Sequence, residues 1–128
     1  MTAARRVFPM LSVASLERAL AFYAGLLGGR ERYRFPPEGP AAFVTLGFGE
    51  TELGLGALGD APPLHGRPLR PASGHRIELC VYVDDLDAIV ARARAANVPV
   101  PLPPTAQPWG ERIAYLEDPD GNLVMLAQ

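Results

Sequence analysis

The segments "MLSVASLERALAFYAGL" (residues 10–26) and "CVYVDDLDAIVARARAA" (80–96) decide how this chain is read. A shift of 70 residues superposes them without a gap, setting Val13 on Val83, Ser15 on Asp85, Leu16 on Leu86 and Leu20 on Val90. Each opens with an alternating strand pattern. Each then places Ser15 or Asp85 where a side-chain oxygen can accept a free N–H at a helix start. Apolar residues follow at helical spacing: Leu16, Ala19, Leu20, Tyr23 and Leu27 in the first segment, Leu86, Ile89, Val90 and Ala93 in the second. Gly28-Gly29 and Asn97-Val98-Pro99 are helix stops.

Outward from the repeat, residues 41–58 read as strand, turn, strand, and so do residues 111–128. The same shift sets Leu46 on Leu116 and Leu53 on Leu123. In "LEDPDGNLVMLAQ" (116–128), Pro119 presets the turn, Asp118 and Asn122 bond the nearby backbone, and Gly121 takes the positive φ. Two fainter strands are expected near 30–36 and 99–103. The Pro- and Gly-rich stretch 59–74 reads as an exposed connection. The expected fold is α+β, one domain over 1–128. It holds two βαβββ modules, 5–58 and 75–128, whose paired, mostly antiparallel sheets surround a cleft with the helices outside.

Composition narrows the function classes. Apolar residues make up 48% of the 128, enough for a real core. A net charge of −2 gives no support to a nucleic-acid partner. No apolar run is long enough to cross a membrane. The N-terminus lacks the apolar stretch of a secretory signal. Cys80 is the one cysteine, so no internal disulfide can form, and a cytoplasmic location is expected. Every basic residue is an arginine, which removes Schiff-base lysine chemistry.

The repeat, "SLERALAFYAGLLGG" (15–29) and "PWGERIAYLEDPDGN" (108–122) together resemble the vicinal oxygen chelate superfamily. That group includes glyoxalase I, extradiol dioxygenases and bleomycin-resistance proteins. The resemblance covers nearly the whole chain and implies the fold more strongly than any activity. Its metalloenzymes draw one ligand from each of four cleft-facing strands. Carried over to this chain, those positions fall on Phe8, on residues 54–56 (Gly54, Leu55, Gly56), on Glu78 and on Met125. Glu52 is the nearest carboxylate to the second position and stands too early. Phe cannot ligate, and a thioether is a poor ligand for Mg, Mn or Zn. No metal and no cofactor are therefore expected. His65 and His75 flank the connection without ligand spacing and read as loop histidines.

Strand alternation assigns the cleft its lining. If Phe8 and Glu78 face it, so do Met10, Ser12, Cys80 and Tyr82, while Leu11, Val13, Leu79, Val81 and Val83 face the helices. Met125 shares the cleft face with Leu123 and Ala127, and the resemblance sets Tyr115 there too. Glu78 is expected as the cleft's single charge, leaning toward burial, or as a strand-end carboxylate bonded to Arg76 or Arg112. The resemblance implies that Trp109 stacks on a flat ligand; it can equally pack its loop onto the core. Phe35 is a further aromatic wall. Cys80 has no base beside it and reads as a structural thiol.

Three functions follow as expectations. The first is a metal-free protein that sequesters a planar apolar or aromatic compound, such as an antibiotic. The second is a glyoxalase- or dioxygenase-like enzyme with a non-standard metal site, or with Glu78 and Tyr115 as an unaided acid–base pair. The third is a dimeric scaffold with a closed cleft. The resemblance also implies a homodimer.

Overall fold

The structure is a computed structural model that describes residues 5–59, 65–67, 73 and 77–128. Of the expected connection 59–74, only Gly59, His65, Gly66, Arg67 and Ser73 lie within the described residues. The chain divides into two compact units, Met1–Leu69 and Arg70–Gln128.

The first unit runs β1 (Met10–Val13), α1 (Leu16–Leu20), a π-helical continuation (Ala21–Leu26), β2 (Arg30–Phe35), β3 (Phe43–Phe48) and β4 (Thr51–Ala57). Its strands lie in the order β1-β4-β3-β2, with β1 parallel to β4 and the other pairs antiparallel. The second unit repeats this with β5 (Glu78–Tyr82), α2 (Leu86–Ala95), β6 (Leu102–Ala106), β7 (Arg112–Glu117) and β8 (Leu123–Ala127), ordered β5-β8-β7-β6. Each unit is thus a βαβββ module with a four-stranded mixed sheet.

The helix starts form as the side chains dictate. Ser15 Oγ accepts from Arg18 N at 3.2 Å, and Asp85 Oδ1 accepts from Ala88 N at 3.1 Å. Just past the helices, Gly28 and Asn97 both take positive φ, at 82° and 59°. Between these ends the first helix departs from its expected face. It widens over Ala21–Leu26, where Leu27 N donates to the carbonyl of Phe22, five residues back. The extra residue rotates the stripe, so Phe22 and Leu26 are buried beside Tyr23 while Leu27 is only half-buried.

One face of each sheet is packed under its helix, and the other, the free face, is not covered by a helix of its unit. Under α1 lie Leu11, Val13, Val44, Leu46, Leu53 and Leu55, all buried. Under α2 lie Ala114, Leu116, Val124 and Leu126, met by Leu86, Val90 and Ala93 from the helix. Each such Leu or Val contributes about 1.5–3 kcal/mol of burial, which fixes strand register and leaves alternate residues on the free face. Leu79, Val81 and Val83 point the expected way but are only half-buried, because β5 is an edge strand.

Two sequence expectations shift. The strand foreseen at 99–103 begins at Leu102 instead. Its prolines, Pro103 and Pro104, are tolerated because β6 lies at the sheet edge, and the pairing slips between Leu102 and Thr105. The repeat also gains a residue in its second hairpin. Met10 pairs with Gly54 and Cys80 with Met125, so the shift of 70 between β1 and β5 becomes 71 between β4 and β8. Leu53 therefore matches Val124 rather than Leu123, and both are buried. No helix of the described residues is long and apolar enough to cross a membrane.

Candidate functional site

The free face of the second sheet is built in rows. Cys80, Met125, Tyr115 and Leu102 stand side by side across β5, β8, β7 and β6. The neighbouring row toward the "DPDGN" turn is Glu78, Leu123 and Glu117; the row on the other side is Tyr82, Ala127 and Ile113. Alternation thus brings Glu78, Tyr82, Tyr115 and Met125 onto one surface.

Hydrogen bonds tie this surface together. Tyr115 Oη donates to Glu78 Oε2 at 3.0 Å. Trp109 Nε1 donates to Glu111 Oε1 at 2.8 Å, and the Tyr82 hydroxyl also bonds Glu111. The loop that presents Trp109 is closed at its base, where Gln107 N donates to the carbonyl of Glu111 at 2.8 Å. Gly110 takes φ +100° in this loop, a conformation that excludes a side chain. Trp109 remains 62% exposed and Tyr82 70% exposed. Trp109 is therefore pinned by its polar tip and does not pack onto the core.

Two expectations for the charges are corrected. Glu78 is exposed rather than leaning inward, and it is not the only carboxylate, because Glu111 anchors two aromatic groups. The signal for Glu111 lay in the alternation: residues 111, 113 and 115 share a face. Arg112 does not bond Glu78. It pairs in bidentate fashion with Asp87, at 2.9 and 3.0 Å. Arg76 lies outside the described residues, as does His75.

The electrostatics follow from these contacts. The Glu111 hydrogen bond, then its charge, raises the Tyr82 phenol above its ordinary value. Partial burial, then Glu78, raises that of Tyr115. Desolvation of the sulfur and the Glu111 charge push the Cys80 thiol up as well, so it stays protonated and is a poor nucleophile.

The first sheet has its own free face, carrying Met10 and Phe35 with Tyr33, Phe43 and Thr45; Phe8 lies just before β1. Arg6 stacks its guanidinium over Phe8, 5.0 Å from the ring centre, and also pairs with Glu52 at 3.3 Å. Met10 and Phe35 are exposed. The register answers which residue stands at the second ligand position: Gly54, the counterpart of Met125, while Leu55 is buried under the helix. A Cβ at Gly54 would stand 3.0 Å from Met10 Cγ and 3.1 Å from Phe43 Cζ, so neighbouring side chains fill the place a ligand would need. Phe43 had not been singled out from sequence; its alternation with Val44 and Leu46 was the available signal.

The four positions thus hold Phe8, Gly54, Glu78 and Met125, one carboxylate among three groups that do not suit a divalent ion. Among the described residues no three His, Cys, Asp or Glu side chains converge. His65 Nδ1 accepts from Arg67 N at 3.0 Å within its own turn. The residues present do not fit a metal of the family type.

The sequence model of the glyoxalase/bleomycin resistance protein/dioxygenase superfamily matches residues 6–126. The chain belongs to that superfamily. Human mitochondrial methylmalonyl-CoA epimerase is 35% identical over 83 residues, covering 62% of this chain and 47% of the epimerase. The chain thus spans about half the length of that relative. Among solved structures, TioX from Micromonospora sp. ML1 shares the superfamily fold at TM-score 0.75, with 24% identity and 98% of both chains covered. Lactoylglutathione lyase from Agrobacterium tumefaciens has TM-score 0.68 and 25% identity, covering 98% of this chain and 94% of its own.

Proposed function

We propose that this superfamily member is a metal-free small-molecule binding protein that holds a planar aromatic compound against the free faces of its sheets. The observation that carries the reading is the pinned aromatic surface of the second unit. Tyr82 and Trp109 are exposed, yet both are tied to Glu111, and Tyr115 is tied to Glu78. Rings held this way offer large contact area with little rotamer freedom left to lose on binding. Apolar walls with a few fixed polar groups are what a small-molecule site requires. The reading includes sequestration without chemical change, an antibiotic as one class of ligand, a homodimer and a cytoplasmic setting in which Cys80 stays reduced.

Titration of quinoline and acridine derivatives against Trp109 fluorescence tests it. Saturable quenching is expected, with Trp109→Ala weakening calorimetric affinity about tenfold. Absent quenching and an unchanged melting temperature across such a panel would sink the reading.

A second reading has its own support. Tyr115 and Glu78 share a 3.0 Å hydrogen bond, and the chain is similar to an epimerase. In that reading the pair exchanges a proton with a carbon acid, Glu78 as base and Tyr115 as acid. Deuterium uptake at the α-carbon of an acyl thioester, lost in both Glu78→Gln and Tyr115→Phe, would favour it over pure binding.

A further inference from the structure

The free face of the first sheet carries a polar arrangement that aromatic contact alone does not explain. Thr45 is only 3% exposed, and its hydroxyl is the one buried side-chain polar atom without a hydrogen-bond partner among the described residues. Buried hydroxyls are ordinarily satisfied, so one left open marks a place where a partner arrives. Thr45 shares its face with Phe43 and Gly47, because Val44 and Leu46 between them are packed under the helix. Across the ladder it stands opposite Gly54 on one side and Tyr33 on the other. Gly54 supplies no side chain, and the atoms nearest the space above it belong to Met10 and Phe43. Met10 is 64% exposed and flexible, so it can move aside.

A cation lies on the same face. The strand pairing slips between Glu31 and Tyr33, and the guanidinium of Arg32 lies across Gly47, where a Cβ would otherwise stand. Arg32 donates to the carbonyl of Gly49. No carboxylate pairs with it among the described residues, since Glu31 is held by Arg34 at 2.6 and 3.0 Å. Tyr33 and Phe43 form a tilted ring pair beside it, with centres 6.2 Å apart.

We infer that this face is a subsite for an aromatic carboxylate: Arg32 takes the anion, the Thr45 hydroxyl donates to it, and Phe43 and Tyr33 hold the ring. A carboxylate suits the pair because Arg offers several N–H donors without an acceptor, while Thr45 has one hydroxyl proton to direct. The inference rests on the reading of the sheets as ligand-binding faces, and it names the chemical class of the ligand.

Calorimetric titration with 2-naphthoate and its uncharged counterpart 2-naphthamide tests it. The acid should bind about tenfold tighter than the amide. Arg32→Gln should erase that preference. Thr45→Val should weaken the acid about tenfold while keeping or raising the melting temperature, and Thr45→Ser should bind like the wild type. Equal affinity for acid and amide, or a Thr45→Val protein that binds the acid unchanged, overturns the carboxylate subsite and leaves aromatic binding standing. If neither naphthalene compound binds and the quinoline and acridine series also fails, both fall together.

Discussion

Glu111 and Glu78 each hold a phenol, but for different reasons. For Tyr82 the hydrogen bond to Glu111 is the leading cause of its raised ionisation, whereas for Tyr115 burial leads and Glu78 follows. A folded-state value above the unfolded one means the folded protein holds the phenolic proton more tightly. The associated stability is complete below the ordinary tyrosine range near 10 and is lost as pH rises through the folded-state values. Tyrosinate absorbance followed to alkaline pH should therefore show Tyr82 and Tyr115 titrating late. Glu111→Gln should return Tyr82 most of the way to an ordinary tyrosine, while Glu78→Gln should return Tyr115 only in part. Equal and complete return in both variants would contradict the assignment of causes. At this scale alternation made the face of Glu111 legible from Tyr115. The bond to Trp109 was not legible, because it depends on how the Gln107–Glu111 loop closes.

The hairpin joining β7 to β8 depends on one side chain. Asp118 is only 4% exposed; its Oδ1 accepts from Asp120 N at 3.0 Å and Asn122 N at 2.7 Å, and its Oδ2 from Asn122 Nδ2 at 2.9 Å. Asp118→Ala leaves these donors open in a partly buried turn. The expected loss is about 2–3 kcal/mol in urea-unfolding free energy. Asp118→Asn keeps the Oδ1 acceptor and should lose less. The turn and both helix caps could be read from sequence because they are local chemistry, completed within four residues. The π-helical widening at Ala21–Leu26 could not, because the helical spacing of Tyr23 and Leu27 was equally good for an unbroken α-helix. The late start of β6 was hidden by Pro103 and Pro104, which read as strand breakers until the edge position is known.

Across the whole molecule, duplication made the architecture legible: two modules with the same strand order follow from two matching entry segments. The donor set could be judged from sequence too, apart from the second position, which needed the β1–β4 register to settle on Gly54. With Phe8, Gly54 and Met125 in place of ligands, added Ni, Mn or Zn should leave the melting temperature unchanged. A ligand present at a hundred times its dissociation constant adds about 2.7 kcal/mol, so real occupancy would be plain in a melting curve. A stoichiometric, saturating rise would overturn the judgement on the donor set. The unsatisfied Thr45 hydroxyl lay beyond sequence reading altogether, since threonine in a strand is ordinary and only the covering side chains reveal its isolation.

The prolines of β6 also bear on how its sheet meets strands of other chains. An edge strand with open N–H and C=O groups invites a strand from another chain and is a starting point for aggregation. Pro103 and Pro104 leave this edge strand short of backbone donors, and the slipped pairing beside them breaks its regularity. The corresponding edge of the first unit, β2, is similarly irregular and carries Arg30, Glu31, Arg32 and Arg34. One edge of each sheet, β6 in the second unit and β2 in the first, is thus guarded against indiscriminate strand addition.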